Sequence, residues 1–384
     1  MRFPEFKEVW KDSNIGKCFD LYSGNTPSRM EKEHFIGDVN WITSGELKEH
    51  YIGDTKERIS EKAAADNNLR ILPVGTFVMA IYGLEAEGVR GTCSITVKTS
   101  TISQACMAFT PKSNVSNEFL YSWYKKHGNK IGIRYAQGTK QQNLSYDIIE
   151  KFPIRYPSIE EQEKLNTFIS LLDSRIATQN KIIEDLKKLK VAIIEKVFSE
   201  NKCNCKIGDV ISQISHRNRS KKETNILSVS NKWGFVEQSE QFEDRIVASE
   251  DITNYKIVRI NDFAYNPARI NVGSIARLKR YESGIVSPMY ICFHSQNALL
   301  PEYLELFFYT QYFKHEMYKR LEGSVRLCLS FEGLTNIPIF IPEITTQREI
   351  SIKINSIETK IGIEETYLNA LKVQKQYLLK HMFI

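Results

Sequence analysis

One stretch of this chain occurs twice. Phe152-Pro-Ile-Arg-Tyr-Pro-Ser-Ile-Glu-Glu-Gln162 returns 185 residues later as Ile337-Pro-Ile-Phe-Ile-Pro-Glu-Ile-Thr-Thr-Gln347, and a repeat at fixed spacing restricts the architecture before any other reading. The register holds without a gap on both sides: Gly138-Thr139 against Gly323-Ser324, Leu144-Ser-Tyr-Asp147 against Leu329-Ser-Phe-Glu332, and Leu186-Lys187 against Leu371-Lys372. Weaker echoes, at slightly different shifts, pair Ile15-Gly16 with Ile207-Gly208 and Gly75-Thr-Phe77 with Asn261-Asp-Phe263. Each half is therefore a variable part followed by a repeated tail, and 384 residues are in any case too many for one core.

The repeated tails read as long helices. Beyond the Pro157 and Pro342 turns neither contains proline, and Gly362 is the only glycine in either. Apolar residues recur at heptad spacing: Leu165, Ile169, Leu172, Ile176, Ile183, Leu186, Ile193 and Val197 in the first, then Ile350, Ile354, Ile357, Ile361, Leu368, Leu371, Leu378 and Met382 in the second. The seams coincide after the shift, and so do their interruptions, Lys190 with Lys375 and Gln179 with Glu364. Each helix could simply pack on its own domain. Connectivity favours a shared seam, because the first helix leads into the second variable part, which feeds straight into the second helix; that helix meets the first only by running back antiparallel. Such a rod would reach ~60 Å, with a variable domain at each end. The expected layout is a mixed α/β (α+β) fold: a variable domain over residues 1–157, a helix over 158–200, a second domain over 201–342 and a second helix over 343–384. Within the variable parts, β-rich runs stand at 76–81, 94–98, 255–260 and 289–293, and helices are expected at 117–126 and 301–319.

Composition narrows the chemistry without naming it. With 42% hydrophobic and 26% charged residues the chain is ordinary globular protein, and a net charge of +6 with a pI near 8.7 permits nucleic acid as a partner without requiring it. No run approaches the ~20 apolar residues of a membrane span and the first ten residues lack a signal-peptide core, so a soluble, cytoplasmic protein with no membrane partner is expected. Seven scattered cysteines do not make a disulfide framework, and Cys203-Asn-Cys205 has no second Cys/His pair at ligand spacing; no metal is expected. Phosphate-loop, zinc-protease and nucleophile-elbow motifs are absent. Asn266-Pro-Ala-Arg269 brushes against the Asn-Pro-Pro-Tyr motif of DNA adenine methyltransferases, but it lacks the second proline and the aromatic, and no glycine-rich cofactor loop accompanies it. No catalytic residue is assigned.

Binding chemistry is better supported. Gly138 precedes five polar side chains able to reach phosphates or base edges, Thr139, Lys140, Gln141, Gln142 and Asn143, and its counterpart Gly323 precedes Ser324 and Arg326. Arg217 and Arg219 sit in a basic loop, while Tyr265, Asn266, Arg269 and Asn271 bring an aromatic, a cation and amides together. Thr43, Ser44, Tyr82, Asn231 and Lys232 complete the candidate DNA-binding set. A solvated loop is the bland reading of each; its occurrence in duplicated halves favours function.

The assembled motifs resemble a known family along essentially the whole chain. Arg2-Phe-Pro-Glu-Phe6 with Trp10 and Ile15-Gly16, Gly24-Asn-Thr-Pro27, Trp41-Ile-Thr-Ser-Gly-Glu-Leu47, Gly234-Phe-Val236, Tyr265 to Ser274, Ser287-Pro288 and the Pro-x-x-x-x-Pro…Gln-x-x-Ile/Leu entry to each long helix resemble the specificity subunits (HsdS) of type I restriction-modification systems. The resemblance implies two target-recognition domains, each reading half of a split sequence in double-stranded DNA, and a helix pair that fixes the gap. It also implies partners: two methyltransferase (HsdM) subunits and restriction-translocase (HsdR) subunits, which would carry the S-adenosylmethionine, ATP and Mg²⁺, leaving this chain non-catalytic and without a cofactor. Unequal variable parts imply an asymmetric target. A two-domain scaffold binding RNA or protein, and a specificity subunit of a modification-only enzyme, are the alternatives.

Overall fold

Pro157 and Pro342 each close an extended segment, and the chain turns helical two residues later. Ile159–Ser199 is one helix of 41 residues and Ile344–Met382 one of 39. The chain is described by a computed structural model over residues 2–85, 88–138, 142–238, 251–296, 298–324 and 326–383. It divides into two compact units, Met1–Asn180 with Tyr367–Ile384, and Lys181–Thr366, so each unit contains a piece of both long helices.

In the first unit a five-stranded sheet runs in the order Phe19–Ser23, Cys106–Pro111, Phe77–Ala80, Cys93–Thr96 and Tyr51–Ile52, antiparallel except for its last pair. A three-stranded sheet of Arg58–Ile59, Val39–Ile42 and Ser100–Ile102 accompanies it. Phe77, Val78, Met79 and Ala80 are all buried, which is why that strand reads as a continuous apolar run rather than an alternation. The helix Asn117–Tyr135 is capped by the Ser116 hydroxyl, which accepts from the Phe119 N–H (3.1 Å), and it runs nine residues beyond the expected Lys126.

The second unit is built around an antiparallel four-stranded sheet ordered Ile211–Ile214, Ile291–Ser295, Phe263–Tyr265, Ile275–Arg277. Pairs formed by Leu227–Ser230 with Gly234–Glu237 and by Lys256–Arg259 with Ser283–Val286 lie alongside. The single helix expected over 301–319 is two, Pro301–Phe308 and Gln311–Tyr318. Thr310 breaks it: its hydroxyl donates to the Phe307 carbonyl (2.7 Å) and accepts from the Phe313 N–H (3.0 Å), ending one helix and capping the next.

Equivalent bonds recur in the two units. The Ile15 N–H donates to the Phe152 carbonyl and the Ile207 N–H to the Ile337 carbonyl, both at 2.9 Å. A Cβ added at Gly16 would strike Glu150 and one at Gly208 would strike Thr335, the equivalent residue, so close packing requires glycine in both. Gly75 and Asn261, matched by sequence, both hold positive φ, at 84° and 73°. Most exact of all is the buried glutamine of the repeated motif. The Gln162 amide donates to the carbonyls of Asn114 and Pro157 and its oxygen accepts from the Ser116 N–H; Gln347 does the same with Ala298, Pro342 and Leu300. Each glutamine ties the start of a long helix to the helix that packs beneath it.

Within each unit the two helix pieces run antiparallel. In the second, Lys187 pairs with Glu365 and Lys190 with Glu358 (both 2.6 Å); in the first, Lys375 pairs with Asp173 and the Arg175 guanidinium lies over the Tyr367 ring. Leu165, Ile169, Leu172 and Ile183 are buried on one helix and Ile354, Ile361, Leu371 and Leu378 on the other. Ile176, Leu186, Ile193, Ile350, Ile357 and Leu368 are half-buried.

Candidate nucleic-acid interface

Two short loops are closed in the same way in the two units. Gln137 and Asn143 exchange backbone hydrogen bonds (2.9 Å each), and 185 residues later Glu322 and Cys328 do likewise (2.9 and 2.8 Å). At the start of each loop Gly138 and Gly323 adopt φ of 113° and 111°, where a side chain is strained; a Cβ on Gly323 would also stand 2.3 Å from the Arg326 carbonyl oxygen. Each loop is then fastened to the segment following an inner strand of its own sheet: the Leu144 N–H donates to Ile81 (2.9 Å), the Leu329 N–H to Pro267 (3.1 Å). Thr139, Lys140 and Gln141 lie outside the described residues.

In the first unit the loop meets the turn after Phe77–Ala80. The Gln142 backbone carbonyl accepts from the Leu84 N–H (3.0 Å), its side-chain oxygen accepts from Arg90 (2.6 Å), and its own N–H donates to the Glu85 carboxylate (2.7 Å), holding that carboxyl below its usual range. Tyr82 is half-buried against the core. Thr43 and Ser44 stand nearby in the chain of contacts, since Ile42 accepts from the Ser103 N–H and the neighbouring Ala105 carbonyl accepts from Ile81 and Tyr82. The Thr43 hydroxyl is spent on Glu46 (2.7 Å) in a capping box. Asn143 points inward, its side-chain oxygen buried without a partner among the described residues.

In the second unit the segment Tyr265 to Ser274 lies between the closed loop and the hairpin tip. Pro267 accepts from the loop; at the other end the Ser274 hydroxyl donates to Val229 (3.2 Å) and Gly273 abuts Asn231. Asn231, Lys232, Arg269, Asn271, Ser324 and Arg326 thus fall along one strip, all exposed except the half-buried Asn271. The Arg269 and Arg326 guanidinium groups have no side-chain partner among the described residues, so nothing must be broken for them to take a phosphate or a base edge.

Two expectations need correction here. Tyr265 is wholly buried, its hydroxyl donating to the Leu329 carbonyl (3.2 Å), because its strand is an inner one of the four-stranded sheet; it holds the loop and does not reach solvent. Asn266 is also buried, its side-chain oxygen accepting from the Ala268 N–H (3.1 Å) to shape the turn that presents Arg269. Arg217 and Arg219 are exposed but belong elsewhere: their loop is organised by buried Asn218, which bonds Glu223 and Tyr255, and Arg217 donates to Asn254 (2.9 Å). Sequence reasoning missed Arg90, which belongs to none of the motifs read from the sequence. Among the described residues no three His, Cys, Asp or Glu side chains cluster as metal ligands, and no helix is long and apolar enough to cross a membrane.

Residues 7–188 match the family model described as the type I restriction modification DNA specificity domain. The specificity subunit of the type I restriction enzyme MjaIX from Methanocaldococcus jannaschii is 31% identical over 206 residues, 50% of this chain and 46% of that protein. The chain spans about half the length of the curated relatives it matches. The crystal structure of the type I restriction-modification S subunit from M. genitalium has a TM-score of 0.57 at 15% identity, covering 100% of this chain and 99% of that one. A structure solved to explain complex assembly and conformational transition of the type I R-M system gives 0.62 at 14% identity, covering 98% and 97%.

Proposed function

We propose, from the match of residues 7–188 to the type I restriction modification DNA specificity domain, that the whole chain is a specificity subunit that binds an asymmetric, bipartite DNA sequence. The observation that carries this is the duplicated closed loop: the second half, beyond the family match, repeats Gly138 and its bridge at Gly323 with the same backbone bonds and the same anchoring to an inner strand. One domain of this family reads DNA; two built alike but lined differently read two unlike half-sites.

The chain itself transfers no methyl group and cuts no strand in this reading. It recruits two methyltransferase subunits and restriction-translocase subunits, which bring S-adenosylmethionine, ATP and Mg²⁺, and the assembly works in the cytoplasm. Arg269 and Arg326 supply readout or phosphate contacts in one half, Gln142 and the polar loop around it in the other, and the antiparallel helix pair sets the spacing. Methylome sequencing of the host with and without the gene tests it. A split adenine-methylated motif that disappears on deletion is expected; an unchanged methylome in a strain whose methyltransferase gene is expressed overturns the reading.

A further inference from the structure

The hairpin tip of the second unit carries an aromatic that the assignments above leave unused. Of the chain's four tryptophans, Trp10, Trp41 and Trp123 are core residues, whereas Trp233 is 72% exposed. A lone exposed apolar residue is unremarkable; its setting is what counts. The turn at the tip is shaped by the Ser230 hydroxyl, which accepts from the N–H groups of Lys232 and Trp233 (3.3 Å each), and by Gly234 at a φ of 68°. Lys232 places its ammonium 4.8 Å from the Trp233 ring centre.

Beside the tip opens a cavity of about 780 Å³ with Phe263 and Phe308 in its wall. Lys232, Arg277, Lys279, Arg280 and Lys314 line it; Arg277 is held by Glu305 (2.9 Å) and Glu302 (2.5 Å) and Lys279 by Glu305 (2.7 Å), whereas Lys232 and Lys314 make no ion pair among the described residues. An exposed ring beside a concave surface with surplus positive charge matches a sugar-phosphate strand with a base or deoxyribose face against the ring. The cavity also adjoins the Arg269 strip, through the contacts of Gly273 and Ser274 with the hairpin.

Resting on the DNA-recognition reading, we propose that Trp233 contacts DNA directly, packing its indole on a base or deoxyribose face in the second half-site while Lys232 and Lys314 neutralise phosphates of the strand crossing the cavity. An indole ring reads no donor-acceptor code. It favours base steps that open easily, so it adds affinity and a shape preference rather than a specified base.

The test uses the full chain assembled with its methyltransferase partner. Trp233 is the exposed indole of this chain, so the difference in iodide quenching between the wild-type and Trp233→Phe complexes isolates its signal. Adding a duplex with the host's methylated sequence should abolish that difference. Trp233→Ala should weaken binding of the duplex roughly five- to hundredfold, and Trp233→Phe should retain most of the affinity. Undiminished quenching and unchanged affinity in a complex that binds the duplex overturn the proposal. So does full protection by the methyltransferase before DNA is added, which makes the tip a protein-docking surface. A wild-type complex that binds no duplex overturns the specificity-subunit reading and this one with it.

Discussion

Gln162 and Gln347 show what a single buried side chain decides. Each satisfies three backbone groups that would otherwise be buried unpaired, in two segments nearly fifty residues apart. Gln162→Leu keeps the volume and strands those groups, so urea unfolding of the variant should show a loss of about 2–4 kcal/mol; a loss within about 0.5 kcal/mol would mean the bonds contribute little. At the surface the expected consequence is functional instead. Arg269→Ala and Arg326→Ala remove free, exposed guanidinium groups and should leave stability within about 0.5 kcal/mol. If they read base edges, each costs about 1–3 kcal/mol on the methylated sequence and relaxes preference in one half-site only. Binding to duplexes substituted one base pair at a time checks this, and equal losses on specific and scrambled DNA would assign them to phosphate.

The long helices keep their register through polar as well as apolar contacts. Lys190 with Glu358 in one unit and Lys375 with Asp173 in the other are the same ion pair displaced by 185 residues in both partners. Solvent-accessible pairs at such half-buried positions contribute only about 0–1 kcal/mol, so their value lies in fixing which turns face each other. The helix ends add an aromatic anchor. Phe198 packs on Tyr303 and Phe307, and its equivalent Phe383 packs on Phe119, while the Phe383 carbonyl accepts from Lys126. Phe383→Ala should therefore destabilise a unit whose other residues are almost all within the first 180, by about 3–5 kcal/mol. Limited proteolysis should show faster cleavage within residues 11–156, and cleavage confined to the altered helix end would refute the anchoring role.

At the scale of the whole molecule the proposed ruler makes a geometric prediction. Matched insertion of seven residues into both long helices preserves the heptad seam and adds ~10 Å of helix. At ~3.4 Å per base pair that corresponds to a spacer longer by about three base pairs. The same change turns one half-site by roughly a quarter turn or more, so a weaker complex preferring a longer spacer is expected. Inserting two residues into one helix instead rotates the seam away and should abolish assembly. Methylation of targets with spacers varied one base pair at a time gives the answer; an unchanged optimum in an assembled heptad variant would show that the helices do not set the gap.

The duplication, the helices and their seam were legible in the sequence because each is a pattern along one dimension: a fixed shift, a missing proline, a 3.5-residue period. The interface was legible only as a set of loops. Whether a side chain in such a loop faces solvent depends on which strand lies beneath it and what lies across the sheet, and these are long-range facts. Tyr265 and Arg269 are four residues apart in one polar segment; tertiary structure alone made the first a buried tie to Leu329 and the second an exposed cation. The helix break at Thr310 was likewise invisible to periodicity, because a hydroxyl that serves one helix as a terminator and the next as a cap leaves the apolar pattern intact. Sequence determined the repeat and its register; the packing of sheet on loop decided which polar residues are free to touch a partner.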